Sequence, residues 1–179
     1  RSLMEKLGSM QEISGFKQCS QTSIDIETAQ GKAEYVTVVC ADDLGVLDGF
    51  INLRHRQHGG GIGRDYRNLF SEPMNMEPDG IIIDEKMAEI LKVNVGSQVT
   101  LRNADEEEFT AYISDITENY VGHYAYMSRK TWKEITGDWP FYNTMLLRFG
   151  EGADEESAAR ELLAADGVIS YNRIDQMRD

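Results

Sequence analysis

Residues 79–102 carry the pattern that most restricts how this chain can fold. An apolar run at residues 80–83 predicts a strand, and Asp84 directly after it can cap a short helix with its apolar side chains on one face. Gly96 then marks a turn, and the alternation of apolar and polar residues over 98–102 predicts a second, half-buried strand.

The chain continues with further short elements of both kinds. Residues 103–107 are too charged to bury and predict a hairpin loop, after which the alternation over residues 109–113 predicts a third strand. Ser128 can cap a helix that Gly137 ends, and residues 142–149 predict another strand. Together these patterns indicate a compact α+β core, and none of them is an active-site signature.

The same region resembles a known family. The runs GIIIDEKMAEIL, VNVGSQVTL, ITENYVGHYAYMS and PFYNTMLLRF, all within residues 80–149, resemble the extracytoplasmic domain of FtsX-like (MacB-type) permeases of ABC transporters. Bacterial members carry this large domain between their first and second transmembrane helices. The chain departs from the pattern at Ser97, where an Asp usually follows the glycine, and either side chain suits a turn.

The resemblance implies a fold, a location and partners. It implies an α+β domain with a mixed sheet, held on the extracytoplasmic side of a cell membrane, with no catalytic residues, cofactor or metal. The implied partners are a cytoplasmic ATP-binding subunit, reached through the membrane part, and a second permease copy or half. The domain would couple ATPase-driven motion to the export or handling of a hydrophobic peptide, lipid or lipoprotein.

The first residues predict a helix. Apolar side chains recur at helical spacing over residues 2–16, and this stripe can either pack on the domain or continue outward as a stalk. The resemblance favours a stalk over residues 1–16 that follows a first transmembrane helix. Because the chain begins with Arg1 rather than Met, we expect it to be a segment of a longer protein.

The remaining elements suggest two lobes. The strand, helix and strand pattern near the end of the chain is typical of a crossover unit, in which residues 168–171 form the last strand. We expect a first α+β lobe from residues 17–78 and 142–179, and a second from residues 79–141.

Net charge excludes some partners. Thirty-one acidic against eighteen basic residues give a formal charge of −13, which repels nucleic acid and anionic membrane surfaces. The sequence contains no apolar run of about 20 residues that could cross a bilayer.

The two cysteines, Cys19 and Cys40, leave two alternatives open. An extracytoplasmic location would permit a disulfide between them. Two free, buried thiols are an equally good interpretation, because Cys40 ends an apolar strand.

The glycine-rich residues 55–67 predict an exposed loop. Their glycines fit neither the phosphate-binding loop nor the dinucleotide-binding motif. His55 and His58 could share a metal with Asp65 and Glu72, but zinc sites use three or four strong ligands, so we predict no metal site.

Asp115 and His123, together with nearby tyrosines, are the residues best suited to general acid–base chemistry. No serine lies in a G-x-S-x-G motif. Packing of His and Tyr rings beside a sheet explains the same residues without catalysis, so we predict that the chain is not an enzyme.

Contacts with a partner are instead predicted for two groups of polar and aromatic residues: Asn119, Tyr120, Gly122, His123 and Tyr124, and a second group of Arg64, Tyr66 and Arg67. The alternative is a stand-alone secreted protein, either a ligand-binding domain with a deep apolar cavity or a hydrolase that uses the Asp115 and His123 region. The permease interpretation predicts that both chain ends leave the domain on the same side.

Overall fold

The computed structural model of the protein describes residues 2–42, 50, 80–117 and 123–171. Within these ranges the chain forms four helices and seven strands. In chain order they are α1 (Leu3–Ser9), β1 (Ile13–Glu27), β2 (Lys32–Ala41), β3 (Gly80–Asp84), α2 (Glu85–Leu91), β4 (Gln98–Arg102), β5 (Glu108–Thr117), β6 (Tyr124–Ser128), α3 (Arg129–Thr136), β7 (Thr144–Phe149) and α4 (Glu155–Leu163).

The seven strands form one mixed sheet in the order β2-β6-β3-β5-β4-β1-β7. β1 also pairs with β2, so that the first six strands close into a ring. Closure takes place at Ile26, which is paired with Ala33 of β2 on one side and Leu101 of β4 on the other. The pairs β2–β6 and β3–β5 are parallel, and the others are antiparallel. The predicted α+β class with a mixed sheet is therefore confirmed.

The main hydrophobic core is built from alternate residues of all six ring strands. Its fully buried members include Ile26, Val38, Ile83, Leu101 and Ile113. Helix α2 contributes Met87, Ala88 and Leu91 to this core, whereas α3 covers it with the partly buried Trp132 and Ile135.

A second, smaller core lies beside β7. It is formed by Leu7 and Met10 at the start of the chain and by Ala158 and Leu162 of α4, with side chains of β1 and β7 packed against them. The long strand β1 belongs to both cores, because its first half pairs with β7 and its second half with β2 and β4.

The prediction of a helical stalk over residues 1–16 is wrong in its extent. The helix ends at Ser9, Met10 has extended dihedral angles, and residues from Ile13 onward belong to β1. Here the pairing of Ile13 with Phe149 and of Phe16 with Leu147 overrides the helical spacing. Of the two alternatives for the apolar stripe, packing on the domain is the one observed, since Leu7 is buried against the second core.

The elements at the centre of the chain form as predicted, whereas the last predicted strand does not. The strand, helix and strand predicted in this region are confirmed over residues 80–102, and so is the hairpin after them. Residues 168–171 do not form the predicted strand. The division into two lobes remains a prediction, and the single sheet runs through both of them, since β2 pairs with β6.

The helices of the described residues are short, and the longest, α4, has nine residues. Within residues 2–42, 50, 80–117 and 123–171, no helix has the length and apolar character needed to cross a bilayer.

Candidate functional site

Two of the eight residues predicted to contact a partner, His123 and Tyr124, lie within the described part of the chain. The other six fall outside the described residues: Arg64, Tyr66, Arg67, Asn119, Tyr120 and Gly122.

His123 and Tyr124 lie where β6 begins, next to β2. The imidazole of His123 is exposed, and its backbone carbonyl accepts a hydrogen bond of 2.8 Å from the N–H of Thr37. Tyr124 is half-buried opposite Thr37 in the parallel β2–β6 pair, and this burial raises the pKa of its phenol above 10.0. Both residues therefore have a role in strand pairing that requires no partner.

Asp84 is an acidic residue whose pKa reflects the charge of His123. Burial raises the pKa of Asp84, whereas the hydrogen bond from the Met87 N–H and the positive charge of His123 oppose the rise. Asp84 is the N-cap of α2, and its Oδ1 lies 2.7 Å from the Met87 nitrogen. Asp115 Oδ1 accepts from the N–H of Ile116 at 2.8 Å. Asp84 thus has a capping role.

The two ends of the described chain lie together. The Lys6 ammonium of α1 donates to the Glu161 carbonyl of α4 at 2.9 Å and lies 3.7 Å from the Glu161 carboxylate. The Tyr171 ring contacts Phe149, the last residue of β7, with 6.5 Å between ring centres. Phe149 is paired in turn with Ile13, where β1 begins. The structure therefore brings residues close to both ends to the same side of the sheet.

A small open cavity lies at this same place, between the start of α1 and the end of α4. Its volume of about 270 Å³ is below the range of roughly 300–1,000 Å³ that is usual for small-molecule sites. It is lined by Leu3, Lys6, Ala164, Ala165 and Asp166. A cavity of this size is too small to be the deep apolar cavity that the ligand-binding alternative requires.

Sequence reasoning missed a turn of exposed aromatic residues between α3 and β7, at residues 139–142. Trp139 and Phe141 are 53% and 89% exposed. Arg129 contacts both ends of this turn. Its guanidinium lies 5.5 Å from the centre of the Trp139 ring and 4.0 Å from that of the Tyr142 ring. The same guanidinium donates to the Tyr142 hydroxyl at 2.8 Å and to the Pro140 carbonyl at 3.1 Å.

Acidic side chains surround Arg102 at the opposite end of β1. Its guanidinium lies 2.5 Å from Glu27, 3.2 Å from Glu106 and 2.7 Å from Glu108. The hydrogen bond to Glu27 is the largest cause of a raised pKa for Arg102. This cluster joins the β4–β5 hairpin to the end of β1.

The cysteines are free, and both are buried. Burial raises the pKa of each thiol to about 12. Of the two alternatives for these residues, the structure shows the pair of buried thiols. Over the described ranges, no cluster of three or more His, Cys, Asp or Glu side chains is arranged to hold a metal ion.

Comparison with known proteins gives matches among solved structures. No family model matches the sequence, and no curated protein matches it. The extracellular domain of the noncanonic ABC-type transporter YknZ from Gram-positive bacteria superposes with a TM-score of 0.52 at 16% identity, covering 90% of this chain and 80% of that one. The periplasmic region of MacB from Actinobacillus actinomycetemcomitans gives a TM-score of 0.47 at 12% identity, covering 89% of this chain and 69% of that one.

The first of these likenesses defines the class of fold. The chain has the fold of the extracellular domain of an ABC-type transporter, in agreement with the resemblance seen in its sequence. In particular, it shares the fold of the YknZ domain.

Proposed function

We propose that this chain is the extracytoplasmic domain of an ABC transporter permease in a cell membrane, and that it does no chemistry of its own. In this proposal a cytoplasmic ATP-binding subunit and a second permease copy or half act on it through membrane helices on either side of the chain. The domain relays their motion to a hydrophobic peptide, lipid or lipoprotein that is exported or handled outside.

The observation that carries the proposal is the meeting of the two ends of the described chain. Helices α1 and α4 are joined by the Lys6–Glu161 contacts and share the second core, and Tyr171 lies against Phe149 in the same region. A domain inserted between two neighbouring membrane helices needs its ends on one side. The likeness to the YknZ extracellular domain supports the same function through the fold.

The arrangement of the cores supports the relay of motion. The small core at the chain ends is connected to the main core through β1, which is continuous over 15 residues. Because both halves of β1 are hydrogen-bonded in the sheet, a displacement of α1 or α4 would be passed directly to the ring of six strands.

The natural reading frame on either side of this sequence tests whether the chain belongs to a permease. The natural reading frame should encode about 20 consecutive apolar residues before Arg1 and again after Asp179. A start codon and a stop codon close to these positions would favour the stand-alone secreted alternative and overturn the proposal.

The relay itself can be tested in the full-length permease with its ATPase, reconstituted in lipid discs. Lys6→Cys with Glu161→Cys would be joined by a bis-methanethiosulfonate reagent, which reductant cleaves, so that α1 and α4 cannot move apart. We expect the ATP hydrolysis rate to fall and to recover when reductant is added. As a control, Thr100→Cys with Thr110→Cys joins two residues already paired between β4 and β5, and should leave the rate unchanged. Equal rates for both crosslinked forms and the uncrosslinked protein would contradict the relay.

A further inference from the structure

The sheet has an open edge at β7. The other six strands close into a ring, and within the described residues β7 is paired on one side only, with β1. The free side of an edge strand presents backbone N–H and C=O groups that can pair with another extended segment.

An extended segment of the same chain lies close to this edge. Gly167, with φ of +87°, reverses the chain after α4, and residues 168–171 follow with no helix or sheet assignment. Their sequence, Val-Ile-Ser-Tyr, is typical of a strand. Ile169 is nevertheless 96% exposed, and the Tyr171 ring contacts Phe149 at the end of β7.

We propose that the free edge of β7 is a docking site for residues 168–171, which add to the sheet there as an eighth, parallel strand. With Tyr171 beside Phe149, a parallel register puts Ile169 beside Leu147. Leu147 and Phe149 pack against the second core, and side chains that are neighbours on adjacent strands share a face. Docking would therefore move the exposed Ile169 side chain onto the core formed by α1 and α4.

The connection between the two strands is suitable for this arrangement. A parallel pair requires a crossover of a dozen or more residues, usually with a helix. Residues 150–167 supply that length and contain α4, whose Ala158 and Leu162 already cover the face on which Ile169 would be placed.

The role that we assign to the docking of residues 168–171 rests on the proposed function. Residues 168–171 lead from the domain into the last residues of the chain, toward the proposed second membrane helix. Docked on β7, they would fix this connection to the sheet along their whole length. Docking at the edge of β7 would then strengthen the mechanical coupling between that membrane helix and the domain.

A disulfide between the edge and the segment tests the docking in the 179-residue chain. Arg148→Cys and Ser170→Cys are opposite each other in the proposed register, and both side chains are exposed. We expect this pair to form a disulfide in a glutathione buffer. The control pair, Arg148→Cys with Asp166→Cys, is displaced by four residues, or about 13 Å along a strand, and should not form one. Equal crosslinking of the two pairs would overturn the proposal.

Variants of Ile169 provide the second arm of the experiment. Ile169→Asp should slow crosslinking of the Arg148→Cys, Ser170→Cys pair by roughly tenfold or more, because the docked state would bury a charge in place of an aliphatic side chain. With Ile169→Val, the same cysteine pair should crosslink at nearly the rate measured without a substitution at Ile169. If the segment stays undocked, neither substitution at this exposed position will change the rate, and the proposal is wrong. Since this measurement involves no transport, its outcome is separate from the ATPase test of the proposed function.

Discussion

Gly31 lies directly against the carbonyl oxygen of Ile90, with no room between them for a side chain. A Cβ on Gly31 would overlap that oxygen, and Leu91 is also within contact distance. Thr28 fixes the approach, since its hydroxyl donates to the Leu91 carbonyl at 2.8 Å. The turn between β1 and β2 is thereby closed onto the end of α2.

The first prediction follows from this contact. Gly31→Ala should lower the free energy of unfolding by about 1–3 kcal/mol, because the obstructing atoms belong to backbone that cannot move aside cheaply. Urea unfolding measured by circular dichroism would show the change. Gly8→Ala is the matched control: it lies in α1 with nothing within 4 Å of the added methyl group, and should raise stability by about 0.5–1 kcal/mol. If Gly31→Ala left the free energy of unfolding unchanged, the turn would be able to separate from α2.

The features of this fold that the sequence could predict are those that depend on residues close together in the chain. Asp84 and Ser128 were identified as helix caps because capping depends on neighbouring residues, and both accept the expected backbone N–H. Gly137 was identified as a helix end for the same reason, and it has φ of +89°. Residues 13–16 were assigned to a helix because only their distant pairing with β7 makes them a strand.

The parts of the surface that sequence reasoning missed depend on contacts between distant residues. Arg129 bonds Asp42 at 3.1 Å across 87 positions of the chain, and nothing in either local sequence indicates that pair. Closure of the ring at Ile26 likewise requires two partners that are far away in sequence. The partner contacts remain predictions for all eight residues: Arg64, Tyr66, Arg67, Asn119, Tyr120, Gly122, His123 and Tyr124.

The second prediction concerns pH and the buried cap of α2. Asp84 is 5% exposed, and its folded-state pKa lies above the ordinary value of 3.8 because burial disfavours the charged form. Protonation of Asp84 therefore favours the folded state. Its contribution is fully present below pH 3.8 and is lost as pH rises through the folded-state pKa.

Asp84→Asn isolates this contribution, because the amide oxygen can still accept from the Met87 N–H but cannot titrate. We expect the unfolding free energy of the parent chain, minus that of the variant, to decrease between pH 3 and pH 7. A difference that increases over this interval would show that the fold stabilises the carboxylate, and a constant difference would show that folding does not shift its pKa; either result would contradict the prediction. Ser2→Ala, which removes the exposed cap of α1, should lower stability by a pH-independent amount of about 0.5–1 kcal/mol.

The third prediction concerns the thiols. Cys19 and Cys40 are 0% and 1% exposed, and burial raises the pKa of each to about 12, so that neither offers a reactive thiolate near neutral pH. We expect both to resist an aromatic disulfide reagent in the folded chain and to react fully in 8 M urea, a denaturing condition. Ser170→Cys supplies an exposed thiol as the positive control. A chain purified without reductant whose mass is lower by two hydrogens would contradict the free-thiol structure.

The fourth prediction concerns Arg129 and the aromatic turn. Its planar guanidinium stacks on Tyr142 while bonding the Tyr142 hydroxyl and the Pro140 carbonyl, and an ammonium group cannot make this set of contacts. Arg129→Lys should therefore lower the free energy of unfolding by about 1–2 kcal/mol. It should also increase the quenching of Trp139 fluorescence by acrylamide, because the ring loses the cation that stacks on it. Arg160→Lys, at an exposed ion pair with Glu156, should change stability by less than about 0.5 kcal/mol. If Arg129→Lys and Arg160→Lys change the free energy of unfolding by the same small amount, the prediction is wrong. Arg129 would then not be the residue that orders the exposed aromatic rings.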